Sequence, residues 1–234
     1  YLVGRATDAA ADTYTGGDGD DTIQGRGGND TAIYTGTSLT SANFTAGTFD
    51  SDPRAAVVNA AGWQVSTGGS EGTDLLFDVE IVDGTEAGRF LLVGNGGFDT
   101  IQAAINASSS GDTILIAPGT YSGNINVNVA GITIMGAGPG VIIQGTFETD
   151  NGIAGNVSDF IKTATSYSNA AGTGIAIQAS NVTVSNITID GFYEAVSVQG
   201  GPGGISNIAI NDIAINDSLF GIVKPQNNAV TNLD

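Results

Sequence analysis

VTVSNITIDGFYEAVSV (residues 182–198) and IAINDIAINDSLFGIVK (208–224) superimpose at an offset of 26, with Val184 on Ile210, Ile187 on Ile213, Ile189 on Ile215 and Val196 on Ile222. Ser180-Asn181 falls in the same way on Ser206-Asn207. Alternating apolar residues specify strands buried on one face. A long β period repeated in register specifies coils that stack, because one coil cannot bury its apolar stripe alone and gains a core only from its neighbours. The aligned asparagines are expected in stacked turns, where side-chain amides hydrogen-bond along the stack.

Upstream, GDTILIAPGTY (111–121), INVNVAGITIMGAG (125–138) and VIIQG (141–145) are short alternating strands divided by Gly, Asn and Pro. Before them, FDTIQAAINA (98–107) predicts a helix that Asp99 or Thr100 can cap, with Ile101, Ala104 and Ile105 on one face. Residues 34–95 are less repetitive. Trp63-Gln64-Val65, Leu75-Leu76-Phe77, Val79-Glu80-Ile81-Val82 and Phe90-Leu91-Leu92-Val93 read there as strands between Gly, Ser and Asp turns. Trp63, the single tryptophan, reads as a packing residue, with a sugar-stacking platform as the alternative.

Near the start, GGDGDDTIQGRGGNDTAI (16–33) is two consecutive nine-residue units of the form GGxGxDxUx. Asp12, Asp21 and Asp30 recur at nine-residue steps, and each precedes a threonine. Aspartate at a fixed step among glycines suits a hard cation, which gathers carboxylate and backbone carbonyl oxygens at about 2.3–2.6 Å. Glycine permits that crowding of carbonyls, while the apolar eighth position, Ile23 or Ala32, points into a thin core. Residues 7–12, TDAAAD, lack the glycines, which sets Asp12 apart from the other two.

This stretch resembles the RTX family of secreted calcium-binding proteins, whose nonapeptide repeats wind into a parallel β-roll. The resemblance implies Ca2+ as the ligand and a metal set drawn from Asp12, Gly16, Asp18, Gly19, Asp21, Gly25, Gly27, Gly28 and Asp30. It also implies one ion between turns stacked two units apart, so that Asp12 and Asp30 share one flank and Asp21 lies on the other. Residues 97–234 resemble the pectin lyase-like right-handed parallel β-helix superfamily, in which an amphipathic helix plugs the first coil and a GDTIxIAPGTY-type strand begins the stack. The resemblances together imply an all-β chain in three parts: an RTX-like β-roll over 1–33, a small β connector over 34–95, and a right-handed parallel β-helix with an N-terminal capping helix over 96–234, truncated at its C-terminal end.

Composition narrows the partners. The 234 residues carry 24 acids against 6 bases, a net charge of −18, which disfavours nucleic acid and anionic membrane surfaces and favours cations. The charge is spread, at −10 over residues 1–95 and −8 over 96–234. With no Cys and no His, neither disulfides nor thiolate or imidazole metal sites are available. No apolar run approaches the ~18 residues of a membrane helix, so no membrane insertion is expected. The chain begins with neither Met nor a signal peptide, and is expected to be a piece of a longer secreted or cell-surface bacterial protein. Its RTX resemblance implies export by a type I route, through a C-terminal signal beyond this piece.

Enzymes of the β-helix superfamily that act on acidic polysaccharide pair Arg or Lys with Asp, some adding His or Tyr; residues 96–234 hold no Arg and no His, only Lys162 and Lys224. Both lysines read as solvated side chains. Glycoside hydrolysis needs only two carboxylates roughly 5–9.5 Å apart, and Asp212, Asp217 and Glu194 are the candidates for convergence across coils. The plainer reading makes Asp190, Asp212 and Asp217 turn residues. The expected function is therefore a calcium-binding structural or adhesive segment, as in an adhesin, surface layer, matrix or filament, with no catalytic residue assigned. The alternatives are the N-terminal part of a polysaccharide lyase, hydrolase or epimerase, or a carbohydrate-binding module stacking sugars on Tyr121, Tyr167, Phe192 or Tyr193. The expected partners are a polysaccharide or cell-surface glycan, and a second copy joined end to end where the last coil leaves backbone groups unpaired.

Overall fold

The computed structural model describes residues 2–3, 10–51, 59–146, 172–200, 204–224 and 230–233. The chain is all-β, with mostly parallel sheets and one short α-helix among the described residues. It divides into two compact units: residues 1–118 with 133–137, and residues 119–132 with 138–234. Lys162 and Tyr167 lie outside the described residues.

In the first unit the strands are β1 (Leu2–Val3), β2 (Thr13–Tyr14), β3 (Thr22–Gln24), β4 (Thr31–Ile33), β5 (Phe44–Asp50), β6 (Asn59–Ser66), β7 (Thr73–Phe77), β8 (Ile81–Asp83), β9 (Phe90–Val93) and β10 (Thr113–Ile116). Helix α1 spans Ile101–Ala107. In chain order β11 (Gly119–Ser122) and β12 (Ile125–Val127) belong to the second unit, and β13 (Thr133–Gly136) returns to the first. One sheet runs β1-β3-β7-β6-β5 and the other β2-β4-β8-β9-β10-β13. The two nonapeptide units therefore go to opposite sheets, β3 to one and β4 to the other, and every second unit stacks. Thr13 pairs with Thr31 and Tyr14 with Ala32, both parallel. Strands from residues 73–93 continue both stacks, β7 on β3 and β8 on β4. Ile23, Ala32, Leu76 and Val82 point inward with Phe44, Trp63, Phe90 and Leu92 to make a shared core. Trp63 is fully buried and its Nε1 donates to the Gly94 carbonyl at 2.9 Å, so it packs this core and offers no face to a sugar.

Helix α1 begins later than its sequence window, at Ile101. Thr100 is the cap: its side chain accepts from the Ala103 N–H at 3.0 Å, and Ile101, Ala104 and Ile105 are the buried face.

The second unit continues with β14 (Val141–Gln144), β15 (Thr173–Ile177), β16 (Val182–Asp190), β17 (Glu194–Val198), β18 (Ile205–Asn216), β19 (Phe220–Val223) and β20 (Val230–Leu233). Successive strands alternate between two parallel stacks, β11-β14-β16-β18-β20 and β12-β15-β17-β19. The 26-residue offset is the register itself: Val184 pairs with Ile210, Ile187 with Ile213, Ile189 with Ile215 and Val196 with Ile222. Within β16 the buried side chains are Val182 and Val184, then Ile187 and Ile189, so the alternation slips by one residue at Asn186. Asn186 has φ 55° and its stacked counterpart Asp212 φ 51°. A left-handed residue bends the strand there, and Asn and Asp tolerate that region because their short polar side chains hydrogen-bond locally. Asn181 and Asn207 repeat the device, with φ 58° and 57°. The Asn207 amide donates to Asn181 Oδ1 at 2.8 Å, as expected of stacked asparagines. Of the three aspartates read as turn residues, only Asp217 lies in a turn, at the bend after β18; Asp212 bends β18 from within the strand and Asp190 ends β16.

Candidate functional site

The turns before β3 and β4 carry the candidate ligands. Position four of each nonapeptide is left-handed, Gly19 at φ 98° and Gly28 at φ 124°, and position two is left-handed as well, Gly17 at 88° and Arg26 at 75°. Arg26 occupies a conformation that costs an ordinary L-residue about 1–2 kcal/mol. Gly27 lies between Arg26 and Gly28, and Asp18 is exposed at the tip of the first turn.

Oxygen atoms crowd these glycines. A Cβ on Gly16 would stand 2.9 Å from Asp21 Oδ2, and one on Gly25 would stand 2.0 Å from the Asp78 carbonyl and 2.5 Å from Asp30 Oδ2. Glycine is required at both positions because carboxylate and carbonyl oxygens press directly on the backbone there. Among the described residues no three acidic side chains gather closely enough to hold a metal by themselves. A cation in these turns would therefore draw on backbone carbonyls beside one or two carboxylates.

The aspartates are linked through the backbone. Asp12 N–H donates to Asp30 Oδ1 at 2.7 Å, and Asp30 N–H donates to Glu80 Oε2 at 2.7 Å. In the other sheet Asp21 N–H donates to Asp74 Oδ1 at 2.8 Å. Each carboxylate, at or next to the start of its strand, accepts from the amide of the equivalent residue in the strand stacked beside it. Asp12 and Asp30 accordingly lie together on one sheet, with Asp21 on the other. The same device recurs where Arg89 N–H donates to Asp112 Oδ1 at 2.8 Å, there with a 2.7 Å ion pair between the two side chains.

Burial makes the ladder costly. Asp30 is 0% exposed, Asp74 1% and Glu80 8%. Desolvation pushes the Asp74 carboxyl up to about 6, against the lowering effect of the Asp21 amide. It pushes Glu80 up to about 7, the Asp30 amide again opposing. Desolvation also raises Asp78, partly offset by the charge of Arg26. Beside the second turn lies a cleft of about 350 Å³ whose lining includes Arg26, Asn29, Asp78, Glu80, Phe98 and Asp99.

Sequence reasoning missed Asp74, Glu80 and Glu71 because residues 34–95 read as a connector. The signal was there: GSEGTDLLF (69–77) follows the GGxGxDxUx form with serine at the second glycine. Among the proposed sugar platforms, Phe192 is 1% exposed. Its ring packs so closely on Gly123 and Gly145 that a Cβ on either would collide with it. It therefore fills the core and cannot stack a sugar. Tyr193 instead meets Phe220 edge-on, with ring centroids 5.4 Å apart, and Tyr121 is half-buried. Lys224 is exposed.

In comparisons with protein-family models, curated proteins and solved structures, nothing matches the chain. Among the described residues no helix is long and apolar enough to cross a membrane.

Proposed function

We propose that this chain is a calcium-rigidified structural or adhesive segment of a secreted or cell-surface protein, an RTX-like β-roll leading into a right-handed parallel β-helix. The observation that carries the reading is the ladder of Asp30, Asp74 and Glu80, buried carboxylates capping stacked glycine turns. Buried carboxylates are retained as charges where a cation or hydrogen bonds compensate them, and oxygen-rich turns in a chain without Cys or His select a hard cation. Asp12, Asp21 and Asp30 would supply carboxylates and the turns containing Gly16, Gly19, Gly25 and Gly28 would supply carbonyls. Bound calcium would neutralise the ladder and lock the turns to one another.

The long parallel stacks of the second unit and the absence of Arg and His from residues 96–234 support a scaffold role. Phe220 and Ile222, 46% and 48% exposed on β19, support an end-to-end contact with a second copy. β19 is the edge of its sheet among the described residues, and edge strands with apolar faces pair readily.

Calorimetric titration of the chelator-treated chain with calcium tests the reading. Saturable binding with a higher melting temperature is expected; heats and melting curves identical with and without calcium would refute the assignment of Asp21 and Asp30.

A further inference from the structure

The β6–β7 connection carries a cluster outside the consecutive nonapeptides. Residues 69–77 align with 16–24 position for position: Gly72 on Gly19, Glu71 on Asp18, Asp74 on Asp21, Leu76 on Ile23. The register agrees, with Thr22 paired to Leu75, Ile23 to Leu76 and Gln24 to Phe77. The turns themselves are stitched together. Gly19 N–H donates to the Ser70 carbonyl at 2.8 Å, Thr73 N–H to Asp20 Oδ1 at 2.8 Å, and Leu75 N–H to the Asp21 carbonyl at 2.9 Å. Gly72 is left-handed at φ 70°, and a Cβ there would stand 2.5 Å from the Gly19 carbonyl oxygen. The hairpin of β5 and β6 thus interrupts the repeat series, which resumes at residue 69.

Glu71 is the unusual member. It is 7% exposed, Oε1 accepts from the Gly36 N–H at 3.2 Å, and Oε2 has no hydrogen-bond partner. Neither Glu71 nor Asp74 has an ion-pair partner among the described residues. Asp74 and Asp21 are joined across the same pair of turns, Asp21 N–H donating to Asp74 Oδ1 at 2.8 Å. A buried carboxylate oxygen without a donor is unfavourable, and a cation beside it removes that cost.

We infer that the turn over residues 69–74 is a third, displaced repeat, and that with the turn over 16–21 it forms a calcium site in which Glu71 is a ligand. The inference rests on the calcium reading above and extends it to residues beyond the consecutive repeats. The ion takes Glu71 and one neighbouring carboxylate together with backbone carbonyls, since three carboxylates do not converge here. It would bind the hairpin to the first turn, so that the repeat series closes across an insertion of more than 30 residues.

The test is calcium titration of the full chain and its Glu71→Gln and Asp30→Asn variants, with terbium luminescence sensitised by tyrosine as a second readout. Glu71→Gln is expected to lose one ion per chain and the share of terbium emission sensitised by Tyr34, whereas Asp30→Asn loses a different ion and the share sensitised by Tyr14, whose hydroxyl donates to Asp12 Oδ2 at 3.3 Å beside Asp30. Melting in chelator controls for folding: Glu71→Gln should melt no lower than the parent chain, because it removes a buried charge. A Glu71→Gln chain that binds as many ions as the parent with the same affinity overturns the site while leaving the calcium reading intact. A parent chain that binds no calcium overturns both, and a Glu71→Gln chain that melts markedly lower in chelator overturns the ligand role in favour of a structural one.

Discussion

At the residue scale, the chain places Asn and Asp where the backbone must turn left-handed inside a long strand. Asn186 and Asp212 hold φ 55° and 51° in stacked positions, and the apolar alternation slips there. An alanine at Asn186 keeps the register but enters a disfavoured region, so Asn186→Ala should lower stability by about 1–2 kcal/mol. Asn186→Gly should lie close to the parent, since glycine adopts that region freely. Urea denaturation of both variants checks the pair; equal losses would mean that the side chain, not the backbone angle, is what matters. Arg26 is the reverse case, a bulky residue at φ 75° in a glycine position. Its guanidinium lowers the Asp78 carboxyl against desolvation, which gives the strain a compensating role.

At the element scale, the stacked turns act through their carboxylate-to-amide ladder. Asp74 and Glu80 are raised to about 6 and about 7 by burial, above the ordinary carboxyl range they regain on unfolding. Between about pH 4 and 7 the folded state therefore binds more protons than the unfolded one, and stability falls as pH rises through that window. In chelator the first unit should melt higher at pH 5 than at pH 8. With calcium the trend should flatten or invert, because the ion takes the place of the protons. Melting curves at the two pH values, with and without calcium, check this; a higher melting temperature at pH 8 in chelator would contradict it. The Arg89–Asp112 pair makes a second element-scale case. Asp112 is 2% exposed and accepts from the Arg89 amide, the Arg89 guanidinium and the Ser109 amide. Removing the arginine leaves that carboxylate buried without its counter-charge, so Arg89→Ala should cost about 3 kcal/mol, read by urea denaturation; a loss under about 1 kcal/mol, the value of an exposed pair, would show the bridge to be dispensable.

At the scale of the whole molecule, the two units draw their cohesion from different sources. In the first, β2, β3 and β4 are two or three residues long and their turns carry buried acids. In the second, β16 and β18 pair over eight registered positions above Val182, Val184, Ile187 and Ile189. Chelation should therefore open residues 10–33 to protease while the stack over 173–223 stays protected. Cleavage that begins in the second unit would contradict that order. The exposed Phe220 and Ile222 should make the calcium-loaded chain self-associate, and Phe220→Asp should return it to a monomer by light scattering; a parent chain that is monomeric at high concentration would exclude the end-to-end contact.

Much was legible in the amino-acid sequence by itself. The 26-residue offset became the register of β16 on β18, and the spacing of Ile101, Ala104 and Ile105 became the buried face of α1. The resemblance to nonapeptide repeats implied Asp12 and Asp30 on one flank and Asp21 on the other, and the strands pair in that way. These are local periodicities, and period decides which face a side chain takes. Only the tertiary structure decided what fills the places that period leaves open. Phe192 and Trp63 are aromatic in any reading, but contact with Gly123 and Gly145, and with the Gly94 carbonyl, makes them core. Asp74 and Glu80 lie about 50 residues from the aspartates they adjoin, and Glu71 lies 35 from the Gly36 amide it accepts from. Nothing short of folding brings those carboxylates beside the turns, because burial and charge compensation belong to neighbours in space and not in sequence.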